Sequence, residues 1–302
     1  MRLMNLWNTI KYMDIATLQA FTQIAETGSF SNAAEQLHIT QPAISKRIAS
    51  LEQQFNTKLF DRIGRSIQLT EAGRALMPRA RSILQELEES KRLMNDLSGK
   101  IQGPLRLATS HHIGLHRLPP ILRKFRHRHP DVSLDLHFMD SEDACRLIEK
   151  GELEIGIVTL PTTEFSNLKT KLLWDDPLVF VCHPEHPLCT RQTTKLAELI
   201  QHDAILPGAE TFTRDLIDEL FSQKGHSPKI ALETNYLETL KMMVTVGLGW
   251  SILPKTMLDE DLCEISVSDC RPVRQLGIIQ HRKRSLSNAA RAMLELVTHQ
   301  SE

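Results

Sequence analysis

Thr40-Gln41-Pro42-Ala43-Ile44-Ser45-Lys46-Arg47-Ile48-Ala49-Ser50-Leu51-Glu52-Gln53-Gln54-Phe55 is the stretch that decides the fold. Thr40 suits a helix N-cap, and Pro42 falls in the first turn, where a missing N–H costs little. Ile44, Ile48, Leu51 and Phe55 recur at intervals of 4, 3 and 4 and predict one buried stripe. The opposite face then carries Pro42, Lys46, Ala49 and Gln53, with Gln41 and Ser45 on its leading flank. Small and polar residues outward, with Gln and Lys near the N-terminus, suit a helix pushed end-first into a major groove. Gln can contact adenine bidentately, and Ser and Lys reach base edges or phosphates.

Upstream, Leu18, Phe21, Ile24 and Ala25 have helical spacing, and Gly28 is placed to end that helix in a left-handed cap. Ser31 is the expected cap of a short helix to Leu37, and His38-Ile39 the turn before Thr40. Downstream, residues 59–69 read as two extended runs around Gly64-Arg65, a wing whose Arg62 and Arg65 are suited to phosphate or a minor groove. Thr70 then caps a long helix to about Leu97. Leu76, Ala80, Ile83, Leu87, Ser90, Met94 and Leu97 form a heptad seam, apolar except for Ser90. So long a seam calls for a partner helix, the plainer alternative being packing on its own domain. Pro78 is expected to kink or loosen the helix near Arg74.

Composition sets the frame. The chain has 302 residues, a two-domain length, with 41% hydrophobic and 24% charged residues, ordinary for a globular protein. Its net charge is −1, so any nucleic-acid surface is local. Residues 41–81 hold eight Lys and Arg against three acids, whereas residues 101–302 hold 23 against 27. A basic segment beside an acidic bulk fits a DNA-reading head on a sensing body. No apolar run is long enough for a membrane-spanning helix, and the start lacks the features of a secretory signal, so a cytoplasmic protein is expected. Five cysteines without a Cys-x-x-Cys pair fit reduced thiols rather than a disulfide framework or a zinc site.

Residues 13–98 resemble the N-terminal domain of LysR-type transcriptional regulators. The resemblance rests on Leu18-Gln19-Ala20-Phe21, Gly28-Ser29-Phe30-Ser31-Asn32-Ala33-Ala34, Thr40 to Ile48, Leu51-Glu52, Leu59-Phe60-Asp61-Arg62 and Leu69-Thr70-Glu71-Ala72-Gly73. It implies that Gln41, Pro42, Ser45 and Lys46 meet DNA and that Arg65 is the wing arginine. Position 46 is commonly Arg in that family, and Lys forgoes the bidentate grip on guanine. Members usually begin at the position of Met13, so residues 1–12 form an extra arm.

Ser98-Gly99-Lys100-Ile101-Gln102-Gly103-Pro104 reads as the linker, with the hinge at 99–104. Beyond it, a strand at 105–109, a helix containing Leu118, Ile121, Leu122 and Phe125, an alternating strand at 132–138, a helix to Lys150 and a buried strand at 155–158 predict a parallel doubly wound sheet. A second set follows: strands at 178–182, 204–206, 230–233 and 250–253, with helices at 212–223 and 234–246. The strand at 276–279 and helix at 287–299 are left to return to the first lobe. The expected architecture is α/β overall: a winged helix-turn-helix (13–70), a dimerisation helix (71–98) and a two-lobed effector domain (105–302). Lobe I takes about 105–160 plus 270–302 and lobe II about 161–269. The resemblance implies the same two-lobed fold, similar to periplasmic solute-binding proteins.

Open α/β sheets bind ligands beyond the C-terminal ends of their strands. That rule points to Ser110, His111 and His112 after the first strand, Ser141 after the second, Thr159 at the lobe crossing, and Phe212 and Thr213 opening a helix of lobe II. Hydroxyls and a helix start favour an anion or carboxylate. Taken singly, these are also ordinary caps and turn residues; their clustering at strand ends favours a cleft. No metal is expected: His112 and His116 are four apart, but no His-Glu-x-x-His motif exists and Leu118-Pro119 places the helix start after them. Protonation near His111 is a separate reading, and burial is expected for Cys182. No nucleotide-binding glycine pattern or nucleophile triad is present.

The sequence thus points to a regulator without catalytic residues or cofactor, which binds double-stranded promoter DNA as a homodimer and, by resemblance, a homotetramer, under a small-molecule effector. A cytosolic small-molecule-binding protein or an enzyme on the α/β lobes is the alternative.

Overall fold

The computed structural model describes residues 14–63, 66–97, 99–268 and 270–301. The expected N-terminal arm, Met13, Arg65 and Ser98 lie outside the described residues, as does the side chain of Arg62. The chain divides into two compact units, residues 1–95 and 96–302.

The first unit opens with α1 (Ile15–Thr27), capped by Asp14, whose Oδ1 accepts from Thr17 N–H at 2.7 Å, and closed by Gly28 at φ 64°. The next cap is Ser29, not Ser31: Ser29 Oγ accepts from Asn32 N–H, so α2 is Phe30–Gln36 and Ser31 lies exposed inside its first turn. Thr40 caps α3 (Gln41–Phe55) by accepting from Ala43 N–H at 3.4 Å. Ile44, Ile48 and Leu51 are buried against Leu18, Phe21, Ile24 and Leu59. Phe55 departs from the expected stripe and is 42% exposed. The buried residue of that last turn is Glu52, whose Oε1 accepts from Leu59 N–H at 2.9 Å while Oε2 meets Lys58 Nζ at 2.6 Å. A buried carboxylate thus fixes the start of the hairpin β1 (Phe60–Ile63) and β2 (Ser66–Leu69), which pair antiparallel.

Thr70 accepts from Gly73 N–H at 3.0 Å and donates to the Lys58 carbonyl at 2.7 Å, launching α4 (Glu71–Asp96) beside the hairpin. The helix is unbroken through Pro78. Its heptad seam splits. Leu76 and Ala80 belong to the core of the head, with Met77 and Leu84, which corrects their expected place in a dimer seam. The cause is close approach: a Cβ on Gly73 would sit 2.2 Å from the Leu59 carbonyl oxygen, so the first turns lie flat on the head. Ile83 (43%), Met94 (66%) and Leu97 (78%) remain exposed, and Leu87 is half-buried.

The second unit is built on a continuous sheet in the order Cys263–Ile265, Leu168–Cys182, Val273–His281, Ile155–Thr159, Gly103–Thr109, Val132–Phe138, with Ser251–Pro254 also paired to Leu168–Cys182. Lobe I contains β3 (Gly103–Thr109), parallel to β4 (Val132–Phe138) and β5 (Ile155–Thr159). The helices α5 (His111–His116), α6 (Leu118–Arg128) and α7 (Ser141–Glu149) connect them. These three strands are parallel as expected, and two antiparallel strands extend the sheet: β11 (Val273–His281) returns against β5, and the first ten residues of β6 (Leu168–Cys182) run against β11. The C-terminal helix α11 (Asn288–Ser301) packs on this lobe through Ala289, Ala290, Met293 and Val297. Of the parallel strands, β5 is buried along its whole length, whereas β4 at the sheet edge alternates and exposes Ser133 and Asp135.

Lobe II takes the end of β6, paired with β9 (Ser251–Pro254) and β10 (Cys263–Ile265). Beside them lie α8 (Leu196–Leu199), β7 (Asp203–Leu206), α9 (Phe212–Ser222), β8 (Lys229–Glu233) and α10 (Leu237–Thr245). Trp250 is fully buried against Phe180 and Phe221, and its indole N–H donates to the Leu199 carbonyl at 3.0 Å. The expectation of reduced cysteines is corrected here. Antiparallel pairing sets Cys263 opposite Cys182, the following turn brings the chain back, and Cys189 and Cys263 form a disulfide with Cα atoms 5.9 Å apart. Burial pushes the thiols of Cys145 up to about 12 and of Cys182 and Cys270 up to about 11, so none is an activated thiolate at neutral pH.

Strand β6 therefore belongs to both lobes, crossing at Pro177-Leu178. Beside it the return strand crosses at Pro272-Val273, and Leu178 N–H donates to the Pro272 carbonyl at 2.9 Å. Among the described residues no helix is long and apolar enough to cross a membrane.

Candidate functional site

Two surfaces carry candidate chemistry, one in each unit. On the first, Gln41, Pro42 and Lys46 are exposed on the outer face of α3 and Ser45 is half-buried beside them. Gln41 Nε2 donates to Ser45 Oγ at 3.0 Å, which pre-sets the amide one turn above the hydroxyl. Thr40 is exposed and occupied as the cap. This face is polar and carries a cation, while its opposite side is bolted to α1, α2 and the hairpin by Ile44, Ile48, Leu51 and Glu52. A rigid helix with free donors and acceptors can read base edges without first reorganising.

The second surface is the cleft between the lobes. Ser110, His111, His112, Ser141, Thr159 and Thr213 all line it. Phe212 does not: its ring packs in lobe I against Phe165, Ala144 and Ile279, and its backbone N–H alone faces inward, donating to Glu142. Ser141 Oγ accepts from Thr159 N–H at 3.1 Å and ties two strand ends into one floor. Ser110 precedes α5 without capping it by its side chain.

The cleft also contains groups that strand-end reasoning missed. Asp140, Glu142, Pro207, Thr211, Asn235, Leu237 and Arg274 complete the lining. Asn235 follows β8 and is a strand-end residue of lobe II; the same rule, extended, would have found it. Arg274 lies inside β11 and has no local signal. Its Nε and Nη2 donate to Asp176 Oδ2 at 3.0 and 2.6 Å, and its Nη1 to Thr213 Oγ1 at 3.3 Å. Asp176 is 1% exposed and Arg274 5%, and the two stand opposite each other in the β6–β11 ladder at the lobe crossing.

Contacts from lobe to lobe hold the cleft shut. Asn235 Nδ2 donates to Asp140 Oδ2 at 2.6 Å. His111 stacks edge-on against Tyr236 with centroids 4.7 Å apart. Glu238 Oε1 lies 3.3 Å from His112 Nδ1 and 3.0 Å from His116 Nε2. The remaining cavity is about 50 Å³. That is well below the volume of a small-molecule pocket, about 300–1,000 Å³. Burial raises the pKa of Glu142, partly offset by the Phe212 N–H, and lowers that of His112, with the nearby Arg274 charge acting in the same direction.

The helix start at His111 corrects the later start expected from Leu118-Pro119. Pro119 sits in the first turn of α6, and α5 is a separate turn and a half before it.

Comparison with known proteins finds a family model for each unit. Residues 15–74 match the family described as bacterial regulatory helix-turn-helix protein, lysR family, and residues 98–302 the LysR substrate binding domain. The RuBisCO operon transcriptional regulator of Allochromatium vinosum is 27% identical over 291 residues, covering 95% of this chain and 96% of its own. The uncharacterized HTH-type transcriptional regulator YeiE of Escherichia coli K12 is 30% identical, covering 94% and 97%. Among solved structures, full-length CbnR complexed with its target DNA has a TM-score of 0.68 at 24% identity, covering 96% of this chain and all of that one. Full-length OxyR from Pseudomonas aeruginosa has a TM-score of 0.69 at 22% identity, covering 95% and 98%; both likenesses concern the fold. A lysR-family helix-turn-helix and a LysR substrate binding domain are matched on one polypeptide, and the chain belongs to the LysR family of bacterial transcriptional regulators.

Proposed function

We propose that this regulator reads promoter DNA through Gln41, Ser45 and Lys46, with Pro42 at the groove and Thr40, Ser31, Arg62 and Arg65 on the flanking backbone. The single observation that carries this is the outer face of α3, polar and exposed on a helix whose other side is fully committed to the core. Two chains pair along the second half of α4, through Ile83, Leu87 and Met94, with Leu97 just past its end. Three of these side chains are exposed and in heptad register, which supports a helix-to-helix seam. A dimer of such dimers, a homotetramer acting in the cytoplasm, completes the reading. It includes no catalytic step.

The effector is a small polar molecule held by Ser110, His111, Ser141, Thr159 and Thr213. With Asp140 and Glu142 in the wall and Arg274 already engaged by Asp176, an anionic effector would rely on Arg274 Nη1 and the hydroxyls. The 50 Å³ cavity means that entry requires the lobes to part. A ligand that stabilises one lobe arrangement shifts the population toward it and so resets the spacing of paired heads.

Gel shift of the full chain on DNA upstream of its own coding sequence, at two salt concentrations, tests the reading. Specific retardation that weakens with salt is expected. Equal affinity for scrambled DNA, or binding unchanged by Gln41→Ala and Lys46→Ala together, would overturn it.

A further inference from the structure

We propose that His112, His116 and Glu238 form a binding site for one divalent transition-metal ion of the zinc class, bridging the two lobes at the edge of the cleft. His112 and His116 stand four residues apart on α5, so one face of the helix presents both imidazoles, with ring centroids 4.6 Å apart. Glu238 comes from the first turn of α10 in the other lobe and aims Oε1 at both rings. The three ligand atoms lie within 4.8 Å of one another. Metal–ligand bonds of about 2.0–2.1 Å put the donors of a tetrahedral zinc roughly 3.3 Å apart. The two nitrogen–oxygen distances, 3.3 and 3.0 Å, already meet that spacing. Two neutral imidazoles and a carboxylate suit zinc and its neighbours in the divalent series and leave a fourth position open.

The surroundings favour a built site. His112 is 5% exposed, so one ligand is fixed by packing, while His116 and Glu238 are accessible from solvent. Arg274, in the same cleft wall, is paired with Asp176 at 2.6 Å, so it does not repel a cation at full strength. Asp140 and Glu142 add negative potential along the same wall. Where the sequence has no zinc-protease motif, the third ligand is supplied instead by a residue more than a hundred positions away. With one lobe giving two ligands and the other giving one, the ion clamps the cleft. That regulatory meaning rests on the effector reading above; the binding of the ion does not.

The test uses the full, tag-free chain stripped with chelator and titrated with Zn²⁺ against a competing indicator, with Co²⁺ as a spectroscopic stand-in. One ion per chain is expected, with a raised melting temperature and visible d–d absorption of low-symmetry cobalt. Changing a partner outside the ligand shell typically weakens metal sites by about 10–100-fold. His116→Ala in one lobe and Glu238→Gln in the other are therefore each expected to weaken Zn²⁺ by at least tenfold. Both positions are partly exposed, and melting in chelator checks that each variant folds as wild type does. His186→Ala, in the separate His186–His202 pair, is expected to bind as wild type. Absence of Zn²⁺ binding, or wild-type affinity in either His116→Ala or Glu238→Gln, would overturn the site. Promoter binding measured in chelator reports on the regulator reading independently, so the two can fail separately.

Discussion

The outer face of α3 and the interlobe cleft are both built from polar side chains, yet they are opposite kinds of site. On α3 the functional groups stand in solvent, contiguous in sequence, on a helix anchored from behind. In the cleft they come from positions 110 to 274, and several are buried and already hydrogen-bonded to one another. An open face is complete before its partner arrives. A shut cleft must exchange internal bonds for bonds to a ligand, and that exchange couples binding to movement. The outer face of α3 is therefore expected to tolerate substitution without loss of stability, and the cleft is not.

The largest contrast is expected at Arg274. Arg274→Ala removes both hydrogen bonds to Asp176 Oδ2 and leaves that buried carboxylate only Arg117, 3.9 Å from Oδ1; breaking one side of a buried pair costs about 3–5 kcal/mol. Thermal denaturation should show the effector unit melting far earlier while the head keeps its own transition. A variant that melts like wild type would break the comparison. Glu52→Ala tests the anchored side of α3. Its loss strands the buried N–H groups of Leu59 and Phe60, an expected cost of about 1–3 kcal/mol in the stability of the head. Gln41→Ala should leave melting unchanged and instead reduce discrimination at one base pair by about 1–3 kcal/mol. Lys46→Ala should weaken promoter binding and lower the salt slope by about one. Competition gel shifts over salt separate the two, and a change in melting in either would contradict the idea of a free-standing face.

The smallest effect concerns Glu142. Burial raises its pKa above the ordinary value of 4.5, so the folded, shut cleft holds the proton more tightly than the unfolded chain does. The stability from that proton is complete below the ordinary value and is lost as pH rises through the raised one. Glu142→Gln, which keeps an acceptor for the Phe212 N–H, should flatten this part of the melting-temperature profile between acid and neutral pH. Identical profiles would remove Glu142 from the account.

What was legible follows the same division. The helix-turn-helix could be read because its signals are local: a cap at Thr40, a 4-3-4 stripe and a left-handed Gly28. It failed at ends, where Ser29 rather than Ser31 caps and Phe55 runs past the core. The heptad seam of α4 was real as a pattern, but a pattern does not say which body covers it. Gly73 lets the first turns lie against Leu59, so Leu76 and Ala80 went to the head. In the cleft, the strand-end rule found Ser110, Ser141 and Thr159 because sheet topology repeats from unit to unit. Arg274, Glu238 and the Cys189–Cys263 bond depend on pairing across long stretches of chain, and no local spacing encodes them.

The two prolines at the lobe crossing have a mechanical consequence. Proline has no amide hydrogen to give to a ladder. With Pro177 on one strand and Pro272 on the chain beside it, the cross-links thin out at that level, leaving Leu178 to hold the Pro272 carbonyl. A ribbon weakened along one line folds along that line and resists turning about any other. On the reading proposed above, an effector that parts the lobes turns them about this line, set by where two rings sit in the chain.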